Sequence, residues 1–561
     1  MTHNRNLHTE INQKLKSIKI VQAGENSISI QFEQEISPET NSIISRLCSL
    51  LDDEQFADRF SIQETVPSYC AILVILKSKR RLRLLKKEIY KQLFFILSSD
   101  NDSQTKNQTI HKIPVCYDDE FSPDIKTVCS HTGLSKEEVI ALHSKKEYLV
   151  YMLGFLPGFA YLGGMDKKLE TPRLKTPRTK IPAGSVAIGG SQTGIYPAES
   201  PGGWQIIGKT SVKTFDVQRK PAVFFKAGDK IKFEPVSKED FFSIQEKERQ
   251  TENASEKKER FTCTGGIKIL NPGLCTTVQD AGRKGFLKSG ITENGAMDKI
   301  SFETANAILG NSENAAVLET TISGPEIYFF TSADFCITGA DIHPELNNVP
   351  CEMYKKIHAE AGSILKTGFA TDGLRSYIAV KGGILVKKFF KSCSTDLKCK
   401  FGGFMGRRLC TGDQIAIGDN YSDDCSANCS QRKLKVLLKN KIELPVKNPL
   451  TLHIVKSSQF SFFSKKAVKE FCSSEYEIMP ESDRMGIRLK GKKLACSSTD
   501  IISDGIPFGA IQITSEGLPV IMAQDRQTCG GYAKIACVIK KDMNILAQCR
   551  PGTKIKFKFT D

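Results

Sequence analysis

The sequence predicts a mainly β protein that also contains α+β structure and folds as several compact units. Three observations predict this class: a length of 561 residues, many short apolar runs between glycine- and proline-rich turns, and a highly charged stretch near the middle. Because a hydrophobic core stops growing at roughly 250–300 residues, the chain is expected to form at least three units. Its composition, 40% apolar and 25% charged, is that of a globular protein rather than a disordered one.

Residues 14–105 are predicted to form a small α+β domain. Polar and apolar residues alternate over 18–33 on both sides of a Gly-Glu-Asn turn, which is typical of a β-hairpin. A Ser-Pro-Glu helix start and, later, an apolar helical period over 86–99 indicate two helices, with a strand at 70–76 between them. The polar stretch 98–107 is expected to connect this domain to the next one.

The remainder of the chain is predicted to be rich in β-structure, because short apolar runs alternate with glycine-rich turns. One charged segment has few apolar residues and no sustained period, and we interpret it as a linker between two halves. The predicted units are a β-barrel at 106–237, the charged linker at 238–260, and two further β-barrel subdomains at 261–425 and 426–561.

An internal repeat predicts that the two halves contain related barrels. A Pro-x-Gly-x-x-x-Ile segment begins at Pro182 and again at Pro507. Each copy is followed by a turn glycine and then by a Gly-Gly-aromatic corner, which ends at Trp204 in the first copy and at Tyr532 in the second. The order of these three features predicts matching strands and hairpins.

Charge and cysteine usage limit the functional classes. The net charge is +16, but the lysines are scattered and no recognition motif accompanies them, so we expect a solvated basic surface and no nucleic-acid binding. No basic-then-apolar start and no apolar run of about 20 residues are present, which predicts neither a signal peptide nor a membrane span. Eighteen cysteines in such a chain are expected to be reduced thiols in the cytoplasm.

Motifs of self-contained catalysts are absent or misplaced. Residues 203–210 satisfy the pattern GxxxxGK[ST], but a Ser-Pro-Gly-Gly turn precedes them and no helix pattern follows, so a β-hairpin is predicted there. The sequence contains no Met-Lys-Met biotin acceptor, no GxSxG elbow and no Ser-Ser-Lys amidase loop. The chain alone is therefore not expected to hydrolyse an amide.

Glycine-, proline- and arginine-rich motifs in both halves resemble one family of paired subunits. The first half carries PGFAYLGG, TPR, PAGSV and QTGIYP with SPGGW, within residues 14–235. The second carries TTVQDAGRKGF, GAMD, DRMGIRLKG and AQDRQTCGGYAKIA, within residues 266–552. The halves resemble allophanate hydrolase subunits 1 and 2, also labelled the B and C subunits of 5-oxoprolinase. The resemblance implies cyclophilin-like β-barrels beside the small N-terminal domain, and a fusion of both subunits.

The second half departs from the family pattern in two places. Where relatives usually carry Gly-Ser-Arg, this chain has Lys-Ser-Cys at 391–393, and Lys-Ser-Ser at 456–458 replaces the usual Gly-Pro. An arginine able to hold an anion is therefore missing at the first place. Arg407 or Arg408 is the candidate replacement.

The resemblance implies ATP-dependent opening of the lactam 5-oxo-L-proline to L-glutamate, with ATP and Mg²⁺ as cofactors. It also implies a larger partner protein that is similar to the A subunit of 5-oxoprolinase. Phosphorylation of the amide oxygen would create an electrophile from a resonance-stabilised group. Such a transfer depends on positioning and on charge neutralisation. The expected catalytic residues are Asp280, Arg283, Asp298, Asp525 and Arg526.

Polar residues on turns are the expected contacts to substrate or ATP. Each has a structural alternative: Asp280 can cap a turn, Arg178 can pair with a surface acid, and Gln192 can hold a hairpin. His143, at the end of an apolar-faced helix, is expected to be a packed or capping histidine rather than a catalytic one. The predicted contacts are Arg173, Arg178, Gln192, Thr193, Tyr196, Gln527 and Thr528.

Two other functions remain open from the sequence. The paired module also resembles the carboxyltransferase part of urea carboxylase, which would need a biotinylated carrier on another chain, and it resembles a sporulation kinase inhibitor and its antagonist. In each case the two halves are expected to dock and build a composite cleft. The repeat predicts that the hairpins at 192–204 and 525–532 face this cleft, where Arg526 would bind an anion. The oligomeric state stays open, a homo-oligomer included.

Overall fold

The N-terminal unit is an antiparallel sheet covered by helices. The computed structural model describes residues 11–99, 109–176, 178–255, 265–418 and 427–560. The elements of the first unit are α1 (11–17), β1 (Lys19–Gly24), β2 (Ser27–Gln31), α2 (Pro38–Leu51), α3 (Glu54–Phe60), β3 (Ile62–Pro67), β4 (Ala71–Leu76) and α4 (Leu82–Ser98). The strand order is β1-β2-β4-β3. The Ser37 hydroxyl accepts the N–H of Thr40 at 3.2 Å and so caps α2 at the predicted helix start.

The second unit is a nearly closed barrel of seven strands. Its elements are β5 (Ile110–Val115), α5 (Ile125–Thr132), α6 (Lys136–Lys145), β6 (Glu147–Leu153), β7 (Ala160–Gly163), β8 (Arg178–Ile181), β9 (Ser185–Gly189), β10 (Gln192–Ile195), β11 (Ser200–Gly202), β12 (Gln205–Lys209) and β13 (Lys230–Pro235). The sheet order is β12-β9-β10-β7-β6-β13-β5, and an isolated bridge between Cys116 and Lys209 brings its two edges together. Residues 203–210 do not form a phosphate loop, because they contain strand β12 and no helix follows it. The predicted hairpin is wrong in detail, since β12 is a single strand that pairs with β9.

The segment after β13 differs from the predicted linker. Residues Lys238–Ser255 form helix α7. Ser237 caps it by accepting the N–H of Asp240 at 3.1 Å, and the buried Phe241 packs on Phe121 with 4.9 Å between ring centroids. Glutamate, lysine, arginine and glutamine have high helix propensity, so a cap and one aromatic anchor suffice to start a helix that lacks an apolar face.

The second half contains two sheets followed by a closed barrel. Its first part consists of β14 (Ile267–Asn271), β15 (Thr276–Gln279), α8 (Lys299–Leu309), β16 (Val317–Thr321), β17 (Glu326–Phe329), β18 (Ala333–Gly339), β19 (Glu345–Leu346), β20 (Val349–Pro350), β21 (Ile357–Ala359), β22 (Ile364–Lys366), β23 (Arg375–Val380), β24 (Ile384–Leu385) and β25 (Gln414–Ile417). These strands form a seven-stranded sheet, β20-β19-β22-β17-β14-β25-β24, and a five-stranded sheet, β15-β16-β23-β18-β21. Together with the barrels, they confirm the predicted mainly β class with α+β structure.

The closed barrel ends the chain. Its elements are α9 (Ala427–Lys439), β26 (Leu450–Lys456), α10 (Lys465–Ser473), β27 (Tyr476–Ile478), β28 (Gly486–Gly491), β29 (Asp500–Gly505), β30 (Ala510–Ile513), β31 (Pro519–Met522), β32 (Cys529–Tyr532), β33 (Lys534–Val538), α11 (Lys540–Leu546) and β34 (Lys554–Phe559). The barrel order is β26-β33-β30-β31-β28-β27-β34. Two 3₁₀ turns, Lys167–Leu169 in the second unit and Phe460–Phe462 here, complete the elements of the described residues.

The two seven-stranded barrels share one topology, which confirms the internal repeat. Read from β33, the closed barrel follows the order of the first barrel strand by strand, so that β5 corresponds to β26 and β13 to β34. In each barrel the first and last strands pair in parallel. The additional two-stranded sheets, β11-β8 and β29-β32, also correspond. The sequence signal was therefore a duplicated barrel and not a chance similarity of hairpins.

The two halves are packed against each other. Lys288 Nζ lies 2.6 Å from an Asp52 carboxylate oxygen, and the Leu287 N–H donates to Glu64 at 3.2 Å. The Ser457 hydroxyl donates to the Ala23 carbonyl at 2.9 Å. These contacts tie the N-terminal unit to both parts of the second half, as the predicted docking requires.

The predicted unit boundaries near 105, 260 and 425 lie outside the described residues, as does most of the stretch 98–107. Each of the four folded units has its own buried apolar cluster. None of the helices within the described ranges combines the length and apolarity that crossing a bilayer requires.

Cutting the chain between residues 250 and 258 is expected to leave the two halves associated. The contacts between the halves lie far from this segment in the sequence, and buried apolar side chains from both sides meet in one cluster. Size-exclusion chromatography after insertion of a protease site there measures the outcome. Two fragments that migrate independently would contradict the docking seen in the structure.

Candidate active site between the N-terminal domain and the second half

A cavity of about 190 Å³ opens between the N-terminal domain and the second half. Ligand sites are often found at such domain interfaces. Among the described residues of 106–237, none contributes to the lining, so this is not the cleft between the two barrels that the sequence predicted. The lining residues are Glu25, Asn26, Ser27, Gln63, Ile75, Glu293, Lys299, Pro507, Phe508, Arg526, Val538, Lys540 and Asn544.

Arg526 is the predicted site residue that lies in this cavity. Its side chain is 2% exposed, and its guanidinium carbon lies 5.4 Å from the centroid of the Phe508 ring. Nε donates to the Ile506 carbonyl at 3.1 Å, which fixes the plane of the guanidinium. Its two terminal nitrogens both point at Glu293, each 3.4 Å from Oε2. Arg526 is thus a buried, oriented cation with donors directed at the cavity.

Glu293 lies between two cations. Besides Arg526, Lys299 approaches it, with 3.7 Å between Nζ and Oε1. Burial pushes the pKa of Glu293 upward, but Lys299, Arg526 and Lys284 outweigh this effect and hold the pKa below its usual value. Glu293 is therefore a carboxylate at neutral pH.

The N-terminal domain supplies the opposite wall. Glu25 accepts the backbone N–H of Lys540 at 2.7 Å, which fastens this wall to the second half. Gln63 lines the cavity, and its amide nitrogen lies 3.4 Å from Glu64 behind it. Burial raises the pKa of Glu64, and the negative charge of Glu293 adds to that rise. The wall therefore presents the amides of Asn26 and Gln63 and the carboxylate of Glu25 to the cavity.

Asp280, Arg283 and Asp298, predicted as catalytic, lie outside this cavity. Asp280 accepts from the Ser392 hydroxyl at 2.6 Å and from the Cys393 N–H at 2.6 Å, so it holds two loops together. Arg283 is buried against Phe401, 4.6 Å from the ring centroid. Asp298 caps α8 and also accepts from Gln548 at 2.8 Å. All three side chains make contacts within the protein interior, so they have structural roles instead of the predicted catalytic ones.

Asp525, next to Arg526 in the sequence, does not line the cavity. Both carboxylate oxygens of Asp525 accept from Arg484 at 2.9 Å. Gln527 and Thr528 do not line the cavity. The Thr528 hydroxyl is buried near Gly154, so this part of the segment 525–532 meets the first barrel in a packed contact.

The candidates of the first half belong to that barrel. Arg178 makes a two-pronged ion pair with Asp124, at 2.9 and 2.6 Å. Gln192 is buried in β10, and Arg173 is exposed and reaches toward Gly531 of the second half. The segments 192–204 and 525–532 do meet as predicted, but neither is a hairpin, because β10, β11 and β32 pair with strands outside these segments. Their meeting produces a packed apolar cluster, which includes Tyr196, Trp204 and Cys529, and not a cleft.

His143 is a packed histidine, in agreement with the sequence. Its ring nitrogens lie 2.8 Å from the Tyr117 hydroxyl and 2.8 Å from that of Thr193, and the ring stacks on Phe233. Burial lowers the pKa of His143 to about 3, so the ring is neutral at physiological pH. Thr193, a predicted ligand contact, is occupied by this core network.

The cavity residues that the sequence missed lie close to signals it contained. Glu293 and Lys299 flank the GAMD motif, and Glu25 is the central residue of the Gly-Glu-Asn turn. A charged residue in a tight turn suggests a functional position, but only docking shows that these two segments share one cavity. Phe508 lies within the second copy of the repeat, where the first copy has alanine at 183.

The described residues do not fit Mg²⁺ or a nucleotide at this place. In the described part of the chain, no group of three or more His, Cys, Asp or Glu side chains is placed to share a metal ion. Sites for drug-sized ligands are roughly 300–1,000 Å³, which exceeds the volume of about 190 Å³ found here. The cavity therefore suits a smaller molecule than ATP.

Comparison with known proteins places both halves in one family. The family models for the carboxyltransferase domain match residues 18–225, as subdomains C and D, and residues 289–559, as subdomains A and B. The chain is 38% identical to the B subunit of 5-oxoprolinase from Bacillus subtilis, over 41% of this chain and 97% of the relative. It is 35% identical to the C subunit of 5-oxoprolinase from Haemophilus influenzae, over 52% of this chain and 90% of the relative. The chain belongs to the family of the B and C subunits of 5-oxoprolinase.

A structural comparison supports the fused arrangement of this family. The crystal structure of TTHA0988 is 27% identical in sequence, has a TM-score of 0.76, and covers 95% of this chain and 99% of that one. One chain of that protein therefore spans both halves in the same arrangement. The resemblance seen in the sequence motifs is confirmed, and the chain is an enzyme component that combines the B and C types.

Proposed function

We propose that the chain is the combined B and C component of an ATP-dependent 5-oxoprolinase. It would activate 5-oxo-L-proline, by ATP-driven phosphorylation, for ring opening to L-glutamate together with a larger protein of the A type. The observation that carries this proposal is the match of the two halves to B and C subunits over 97% and 90% of those relatives. The buried cation in a cavity between the halves supports it.

In this proposal, the chain's own residues bind and orient the lactam. Arg526 and Lys299 hold the carboxylate, because both are cations that the fold keeps close to one cavity. The apolar surfaces of Ile75 and Val538 contact the ring carbons. The nucleotide and Mg²⁺ would be held outside this cavity.

The purified chain alone is expected to show no ATP turnover in response to 5-oxo-L-proline. Turnover should appear when the larger partner protein is added, since the sequence holds no nucleophile motif for the hydrolytic step. A coupled ADP-release assay with and without the partner measures this. Full conversion of 5-oxo-L-proline to L-glutamate by the single chain would contradict the proposal.

A second candidate function is carboxyl transfer with a biotinylated carrier protein. It is favoured by the description of both matching family models as carboxyltransferase subdomains. Incubation with a carboxybiotinylated carrier and candidate amides separates the two functions. Transfer of labelled carboxylate without any ATP turnover on 5-oxo-L-proline would favour this candidate.

A further inference from the structure

The size and charge of the cavity around Arg526 define a class of ligand. Three cations line it, Lys299, Arg526 and Lys540, against two carboxylates, Glu25 and Glu293. One positive charge is therefore left uncompensated. A small monoanion neutralises it, whereas a dianion such as phosphate adds a second negative charge next to Glu293.

The central ion pair leaves hydrogen-bonding capacity for a ligand. Arg526 contacts Glu293 at 3.4 Å through both terminal nitrogens, and Lys299 does so at 3.7 Å. Charged hydrogen bonds are typically about 2.7–2.9 Å long, so these contacts are loose. Donors on Arg526 and Lys299 remain for a carboxylate, and lone pairs on Glu293 remain for an N–H.

The neighbouring positions of Arg526 and Glu293 match one arrangement of ligand groups. A molecule whose carboxyl-bearing carbon also carries an N–H presents an anion and a donor side by side. The cation and the acceptor must then be neighbours, as these two side chains are. Asn26 and Asn544 line the same space and can pair with a neutral carbonyl.

We infer that the cavity binds small monocarboxylates that carry an N–H on the carboxyl-bearing carbon, and that Glu293 selects them. Glu293 accepts the N–H and repels dianions, which makes it a specificity-determining residue. The inference rests on the proposed function for its main probe, 5-oxo-L-proline, which is a monoanion with a lactam N–H on that carbon.

Calorimetry on the full chain, without ATP or partner, tests the ligand class. L-5-oxoproline should bind, and N-methyl-5-oxoproline should bind about tenfold more weakly or worse, since one charged hydrogen bond is lost. Inorganic phosphate should bind more weakly than L-5-oxoproline. Equal affinity for the N-methyl compound, or preference for phosphate, would overturn the inference.

The variant Glu293→Gln tests the selecting residue. It keeps the shape and an acceptor oxygen but removes the charge that repels a second negative charge, so the preference for L-5-oxoproline over phosphate should fall about tenfold. Glu516→Gln, an exposed turn position outside the cavity, is the matched control and should change neither affinity. Unchanged selectivity in folded Glu293→Gln would remove Glu293 from this role. If that variant fails to fold, the wild-type ligand series decides.

The binding measurements test the inference about the ligand class, and the turnover assay tests the proposed function, so either claim can be rejected without the other. Binding with the expected selectivity but no partner-dependent turnover would reject the proposed function and retain the inference. Turnover without selective binding to the chain would reject the inference and retain the function.

Discussion

Replacing Arg526 with lysine is expected to lower partner-dependent ATP turnover about thirtyfold or more. The guanidinium fork donates to the Ile506 carbonyl and to Glu293 at the same time, and it can also hold two oxygens of a ligand carboxylate. A lysine ammonium has no such plane. Loss of one partner in a buried charged hydrogen bond costs roughly 2–5 kcal/mol, and about 1.4 kcal/mol is one decade. The coupled turnover assay measures the loss.

Arg488→Lys is the matched control for this variant. Arg488 is exposed on β28 of the same barrel, so the same change of residue type should leave turnover unaffected. The structural alternative is that Arg526 only braces the segment that carries Ile506 and Phe508. Near-normal turnover with a lowered melting temperature in Arg526→Lys would support that alternative and remove Arg526 from the site.

The fold could be predicted from the sequence where a pattern of residues occurs twice. The Pro-x-Gly segments at Pro182 and Pro507 predicted a duplicated barrel because a strand must follow the same turn in both copies. Helix α7 was missed because helices were predicted from an amphipathic period, which this segment lacks. The helix forms instead because its residues have a high intrinsic helix propensity and Ser237 caps its first turn. Local preference was sufficient there without a buried face.

The candidate site was predictable only in part. Arg526 was identified because the internal repeat placed its segment at a cleft and a guanidinium can hold two oxygens of an anion, and it does lie in a cavity between the halves. The opposite wall could not be predicted, since no spacing in the sequence shows that the turn at Glu25 docks beside Glu293. Asp280 and Asp298 were predicted by residue type alone. Buried carboxylates serve equally well to close loops and cap helices, and the sequence does not distinguish these uses.

Asp525 is another carboxylate whose structural role could not be distinguished from a catalytic one in the sequence, and it lies in a different part of the molecule. It was predicted as catalytic, but its carboxylate belongs to a buried ion cluster around Arg484. Arg484 also contacts Glu319 and donates to the Gly295 carbonyl at 2.6 Å. Burial alone would lower the pKa of Arg484, but Asp525 and Glu319 outweigh it and raise the pKa. The cluster joins the sheets of the second half to the closed barrel.

Replacing Arg484 with methionine is expected to destabilise the second half by about 3–5 kcal/mol. Methionine fills similar space but leaves Glu319, whose side chain is 1% exposed, and Asp525 as unpaired buried charges. The exposed pair of Lys490 and Glu477 offers the control, because Lys490→Met should cost about 1 kcal/mol or less. Thermal and denaturant unfolding of both variants measures the difference. If Arg484→Met is no less stable than the control variant, the cluster does not hold the two parts together. If the loss of stability is large, adding Asp525→Asn should recover part of it, because one of the two unpaired charges is then removed.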